Sequence, residues 1–488
     1  MSGEMRMTLG EEQLELNAQR TVAGRTCRLP ISASGEPDDR RRFSENVAWS
    51  MGGTLGVTAA GLAANVILAR VLPPRTFGTY AVLFTSVSVL TVLGRLGTDV
   101  AVVSALSRAR GTGEWGALRR ALRHLVVIGV SGSAVVAGGW IVLSIVLEKA
   151  SLQSPQLAAL APWVAAWIFL EAVAYVFAEA QRGLGDIRRA ATLGDPLRRI
   201  LLLVGFVAMC FASTHPNLRS VLLVTVVATG VAAVVPAIAI WRATRLLPSE
   251  ASALEAHPLA TAWPFVLVNA SALIATQGGV WILGALAPAR EVAAFGAAVR
   301  LVTLLALPLF VLNAVLAPEL ARTHATGRLA SLEPRMRISV TAATMAAAVG
   351  TAAIAVFGGR IFALVLGGFY RQSAVLFVIL SFGQLVNIAS GTCGTALGMA
   401  GHQRLVAFVD VAGAAAFIAL AVAGERLDGA VGVAVASGVA CAARNGLLGF
   451  LAWRRLGVRT YAYFNPREAA TAYSSIARRR AAGTVNAT

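Results

Sequence analysis

Three arginines interrupt otherwise apolar stretches of this chain: Arg95, Arg300 and Arg444. A guanidinium is always charged and presents a planar fork of donors, which suits bidentate binding of phosphate or carboxylate. In hydrocarbon a charge costs at least about 2.5–3.5 kcal/mol on insertion scales, so each must face protein or a water-filled cavity. Arg300 is the best placed to bind a ligand. It lies nine residues beyond Glu291, where its apolar stretch begins, about 14 Å along a helix rising 1.5 Å per residue and close to a bilayer midplane. Arg95 has Asp99 one helical turn away, and the two either neutralise each other or leave Arg95 facing a cavity. Arg444 lies towards the end of the last apolar stretch, where it either contacts ligand or snorkels towards Arg454.

Acids and amides complete the polar set. Glu171, between Leu170 and Ala172, is the most deeply placed carboxylate and the first candidate for a proton- or cation-coupling group, with Asp99 and Asp410 behind it. An arginine or serine on another helix would account for Glu171 equally well. Glu179 shares its stretch, while Asp186, Asp195 and Glu319 read as loop or interface charges paired with neighbouring arginines. Asn269, Gln277, Gln384 and Asn387 suit either sugar hydroxyls or hydrogen bonds between helices, and Asn269 and Gln277 join the candidate substrate-binding set. No catalytic constellation accompanies them. The five histidines lack HExxH spacing, there is no Walker lysine motif and no GxSxG, so neither an enzyme nor a cofactor is expected. The four cysteines lack CxxC spacing, which leaves no metal site or disulfide framework.

These side chains must be positioned by helices in a membrane. The 488 residues are 57% hydrophobic and only 14% charged, with mean hydropathy +0.71, which excludes an ordinary soluble enzyme. The apolar residues form runs of roughly 20 or more, the length of a transmembrane helix. Twelve spans are expected, near 47–71, 77–105, 121–147, 156–181, 190–212, 218–241, 259–287, 291–317, 338–358, 373–397, 404–423 and 429–452. The segment Ile361–Phe369 is too short to cross and is expected at the interface. The fold class is therefore all-α and polytopic. Its expected division is a polar tail (1–43) without a cleavable signal, a first six-span lobe (44–250), a second (251–455) and a basic tail (456–488). The net charge of +18 is nearly all arginine, with Lys149 the single lysine. With the N-terminus inside, 31 Lys and Arg fall on the cytoplasmic side, 8 in outer loops and 3 within spans. That bias places both termini in the cytoplasm and explains the charge without nucleic acid.

Two stretches match at an offset of 215 residues. Ile67–Tyr80 (ILARVLPPRTFGTY) aligns with Ile282–Phe295 (ILGALAPAREVAAF), each joining the first two spans of a six-span block. An even number of spans makes the halves parallel in the membrane, as in transporters built from two bundles around a central site. The first stretch also resembles the LARxLGPxxFGxYA signature of polysaccharide repeat-unit flippases, within the multidrug/oligosaccharidyl-lipid/polysaccharide exporter superfamily. Gln181–Gly185 (QRGLG), Ala297–Leu301 (AAVRL), Leu316–Leu320 (LAPEL), Gly368–Tyr370 (GFY) and Leu397–Gly401 (LGMAG) follow in order, so the resemblance covers roughly 45–455.

The resemblance implies two six-helix lobes forming a V around a central cavity, in a bacterial inner membrane. It implies that an undecaprenyl-pyrophosphate-linked oligosaccharide passes from the cytoplasmic to the periplasmic leaflet by alternating access. Partners would be that lipid-linked oligosaccharide, membrane lipid, and polymerase and glycosyltransferases of surface polysaccharide synthesis. Lipid II flippases of the superfamily carry two further C-terminal helices and cationic residues in the first span. This chain is polar after 453 and has no charge inside its first span, which speaks against lipid II. A multidrug or cation antiporter of the same superfamily is the alternative, and it would want acidic rather than basic cavity residues. A membrane polymerase or ligase would need a large outer loop, and the longest expected here, near 359–372, is short and largely apolar.

Overall fold

The computed structural model describes residues 52, 56–99, 101–103, 105, 106, 115–149, 156–184, 189, 192–212, 216–245, 258–325, 329–465, 467, 468, 471 and 474. The 1–43 tail, Cys27, Asp186 and the end of the C-terminal tail lie outside them. The described chain is helical with no strand, as a backbone without water must be unless it closes a barrel. In order come α1 (Gly56–Val71), α2 (Pro74–Arg95), α3 (Trp115–Lys149), α4 (Gln156–Gly183), α5 (Asp195–Ala212), α6 (Leu218–Thr244) and α7 (Pro258–Leu286). Then follow α8 (Ala289–Leu305), α9 (Leu307–Ala325), α10 (Glu333–Leu366), α11 (Ser373–Ser390), α12 (Cys393–Met399) and α13 (Gln403–Leu456). Among the described residues eight helices are long and apolar enough to cross a membrane, or nine if the bent pair α8–α9 is one span. The protein is a multi-pass membrane protein.

Several expected spans are broken, each for a local reason. The span expected over 77–105 stops at Leu96 and Gly97, both left-handed (φ 51° and 76°), and the described residues beyond them (98, 99, 101–103, 105 and 106) are helical again. The span expected over 291–317 bends by 46° at Ala306, because Pro308 has no N–H to continue the ladder of α8 and instead starts α9. The span expected over 373–397 stops at Gly391 (φ 72°), where a Cβ would strike the Thr460 carbonyl. The 54 residues of α13 fold back on themselves at Asp428 and Gly429, which leave helical geometry. Gly424 and Gly432 then meet backbone to backbone, and Asp410 meets Arg444 further along the two arms.

Two segments are more ordered than their hydropathy and polarity alone indicate. Ile361–Phe369 is no separate interfacial segment: α10 runs unbroken to Leu366, and a short 3-10 turn over Gly368–Gln372 leads straight into α11. The first residues after α13 are docked on the helices. The 457–463 segment lies over α10 and α11, with Ala462 N–H donating to the Ala389 carbonyl (2.8 Å) and Tyr463 N–H to Thr341 Oγ1 (2.8 Å). Arg337 of α10 donates to the Tyr461 carbonyl (3.0 Å) and lies over the Tyr463 ring at 3.9 Å.

The repeat appears in the backbone. Pro73 (φ −55°, ψ 144°) and Pro288 (φ −61°, ψ 144°), 215 residues apart, cap α2 and α8 in the same extended conformation. The helices they start pack on each other. Gly78 sits against the Ala289 carbonyl with no room for a Cβ, and Ala81 faces Gly296, its own counterpart in the repeat. Trp281 Nε1 donates to Ser86 Oγ at 3.0 Å across the same seam. At this end one hydrophobic core joins both halves, from Phe77 and Tyr80 to Phe295, Phe362 and Tyr370. At the opposite, arginine-rich end the cores separate. One holds only first-half residues, among them Leu106, Leu118, Leu125 and Leu184. Others hold only second-half residues, such as Leu320, Met336 and Val458, or Leu397 and Leu448. The halves are sealed together at the hairpin end and packed independently at the other.

Candidate functional site

Arg300 projects from α8, twelve residues into that helix. Its guanidinium donates to the Asn65 side-chain oxygen of α1 and lies over the Phe84 ring of α2 at 4.6 Å to the centroid. It is half-buried, and among the described residues no carboxylate forms an ion pair with it. Both contacts are neutral, so its charge is stabilised by an amide dipole and a ring face and left uncancelled. Asn65 and Phe84 had no charge or spacing to mark them in the sequence; only the approach of α1 and α2 to α8 reveals them.

The other membrane charges are matched. Arg95 binds Asp99 at 2.9 Å across the break after α2, and its guanidinium lies 4.4 Å from the Tyr175 ring centroid. Glu171, 6% exposed, accepts from Trp167 Nε1 (2.6 Å) and pairs with Arg198 of α5 at 2.8 Å. Arg198 also binds Asp195, which reaches Arg199 at 3.4 Å. Arg198 falls near the start of the expected 190–212 span with no spacing to mark it, yet it is 3% exposed and forms the partner that Glu171 needs. Glu179 pairs with Arg182 at 2.8 Å. Asp410, 4% exposed, accepts from Arg444 Nε at 2.7 Å, and Arg444 also reaches Asn445 Oδ1 at 3.2 Å. Each acid named for ion coupling thus has a guanidinium within hydrogen-bonding distance.

A cavity of about 340 Å³ opens in the second half between α7, α8, α11 and α13. Thr276, Thr303, Gln384, Asn387, Ser437 and Arg444 line it among apolar residues that include Phe295 and Phe417. Asn269, exposed on α7, and Gln277, half-buried, are not among its lining residues. The amides of α11 are there instead. They sit three residues apart and therefore on one helical face. No group of three or more histidine, cysteine or acidic residues able to hold a metal occurs among the described residues.

Comparison with known proteins places this geometry. Residues 43–324, more than half of the chain, match the model of a family described as polysaccharide biosynthesis protein. Among curated proteins no sequence matches. Solved structures share the fold at low identity. A multidrug resistance MATE family transporter of the MOP superfamily, in an inward-facing conformation, aligns with TM-score 0.62 and 15% identity over 82% of this chain and 94% of its own. The Vibrio cholerae MATE transporter VcmN aligns with TM-score 0.61 and 15% identity over 85% and 96%. The lipid II flippase MurJ, in an inward closed conformation, aligns with TM-score 0.61 and 13% identity over 82% and 86%.

Proposed function

The chain belongs to the polysaccharide biosynthesis protein family, and from that premise we propose that it flips a polyprenyl-pyrophosphate-linked oligosaccharide across the bacterial inner membrane. The observation that carries this reading is Arg300, a guanidinium whose direct contacts are neutral and whose charged neighbour, Arg199, is itself a cation. Such a charge is expensive to keep in a membrane and is best understood as a site for a transient anion. A pyrophosphate headgroup supplies that anion and cannot cross hydrocarbon unaccompanied.

With the arginine-rich ends in the cytoplasm, the separated cores are the open side and the Gly78–Ala289 seam is the periplasmic seal. The two lobes admit the headgroup from the cytoplasmic leaflet, Arg300 receives the phosphates, and rocking of the lobes opens the seam. The polyprenyl tail stays in lipid. An inside-negative potential drives an anion outward by about 2.3 kcal/mol per charge per 100 mV, so no coupling carboxylate is required. Glu171, Asp99 and Asp410 then serve as structural counter-charges rather than ion-coupling groups. The antiporter reading would want an unpaired cavity acid, and the described acids at membrane depth are paired.

Replacing Arg300 tests the assignment. Arg300→Ala is expected to abolish surface polymer and leave lipid-linked units on the cytoplasmic leaflet at unchanged protein level, with Arg300→Lys retaining part of the export. Full export by Arg300→Ala would sink the reading.

A further inference from the structure

The 340 Å³ cavity of the second half stands apart from Arg300: α8 presents Phe295, Val299, Val302 and Thr303 to it, whereas the Arg300 side chain turns to α1 and α2. Its size is near the lower bound of small-molecule pockets, which run from about 300 to 1,000 Å³. Its electrostatics also differ. Arg444 enters the cavity wall already neutralised by Asp410, so the charged groups here cancel. A charge-balanced wall gives an anion little reason to prefer it.

What the wall offers is hydrogen bonding. Gln384 and Asn387 each bring a carboxamide with two donors and an acceptor. Ser437 Oγ and Thr276 Oγ1 donate to carbonyls of their own helices, which turns their lone pairs outward as acceptors. Arg444, held by Asp410 on one edge and by Asn445 on Nη1, contributes little to this set. Mixed donors and acceptors with neutral net charge, beside the apolar ring of Phe417, match vicinal hydroxyls on a largely apolar sugar face.

We propose that this cavity is a saccharide subsite, separate from the anion site, and that Gln384 and Asn387 bind hydroxyls of the glycan carried by the lipid. The inference rests on the flippase reading and divides its substrate: Arg300 takes the pyrophosphate, and the second-half cavity takes sugar. It makes the cavity the part of the protein that distinguishes a glycosylated lipid from the bare carrier.

The test uses the full-length protein in lipid nanodiscs and two probes. One is undecaprenyl pyrophosphate, and the other is the lipid-linked oligosaccharide pool extracted from cells lacking this protein. Gln384→Leu and Asn387→Leu replace each carboxamide by an apolar side chain and remove the hydrogen bonds, and thermal unfolding checks that they fold. Each is expected to weaken binding of the glycosylated lipid roughly tenfold, about the value of one good hydrogen-bonding contact, while bare undecaprenyl pyrophosphate binds as before. Arg300→Ala is expected to weaken both. Equal binding of the glycosylated lipid by wild type and both leucine variants would overturn the subsite and leave the flippase intact. Parallel loss of both probes in the leucine variants would also overturn it, because the cavity would then not discriminate. Failure of the wild type to bind either probe would overturn the flippase reading itself.

Discussion

Glu171 and Arg198 hold each other at a depth where neither charge could stay alone. Arg198 bridges two carboxylates, Glu171 and Asp195, and Trp167 satisfies the remaining oxygen of Glu171. Removing one partner of such a pair leaves a buried charge uncompensated, which costs about 3–5 kcal/mol. Arg198→Ala, which strips Glu171 of its counter-charge while Asp195 keeps Arg199, is therefore expected to lower the thermal unfolding midpoint in detergent markedly, and Glu171→Leu combined with Arg198→Leu to recover much of it. Glu171→Gln separates structure from coupling. A stable Glu171→Gln protein that exports normally supports the structural role, whereas a stable one that exports nothing returns Glu171 to ion coupling. The sequence shows the Arg95–Asp99 pair because both residues fall on one turn. It does not show the Glu171–Arg198 or Asp410–Arg444 pairs, whose members lie on different helices or on opposite arms of a hairpin. Proximity there is decided by packing, which no local spacing records.

Helix positions were legible to the extent that apolar runs and prolines dictate them. Pro73 and Pro288 mark the starts of α2 and α8, and Gly429 marks the turn that separates the last two expected spans. The breaks at Leu96 and Ala306 leave hydropathy unchanged and are invisible to it. The docked 457–463 segment is illegible in the sequence for a different reason: its residues are polar on average, and its attachment rests on backbone hydrogen bonds to α10 and α11 and on one arginine of α10. Arg337 lies over Tyr461 and Tyr463, 4.9 and 3.9 Å from their ring centroids, and donates to the Tyr461 carbonyl. Arg337→Ala removes the cation–π contacts and that hydrogen bond together. Amide hydrogen exchange over 457–463 is expected to rise by about five- to thirtyfold, as loss of one to two kcal/mol implies, with α2 to α6 unaffected. Unchanged exchange would show that the contacts of Thr460 and Ala462 with α11 suffice to hold the segment.

At the scale of the whole molecule, the repeat and the seam are one feature. Two helices that occupy equivalent places in parallel halves meet along equivalent residues when a pseudo-two-fold axis passes between them, and Ala81 against Gly296 is such a self-matched contact. A contact between small residues on this axis brings the backbones close without side chains to interlock, which allows the halves to part and reseal. The separated cores at the other end supply the complementary freedom. If the seam is the outer gate, fixing it must stop transport without harming either half. A Cβ built at Gly296 lies 3.4 Å from the Ala81 Cβ, close to the roughly 3.5–4.5 Å that a disulfide spans. In a background with the native cysteines replaced, Ala81→Cys with Gly296→Cys is expected to cross-link on mild oxidation. The oxidised protein should retain substrate-lipid binding from the cytoplasmic side yet export nothing, and reduction should restore export. Continued export by fully cross-linked protein would show that the halves move about some other contact, and the assignment of this seam as the gate would fall.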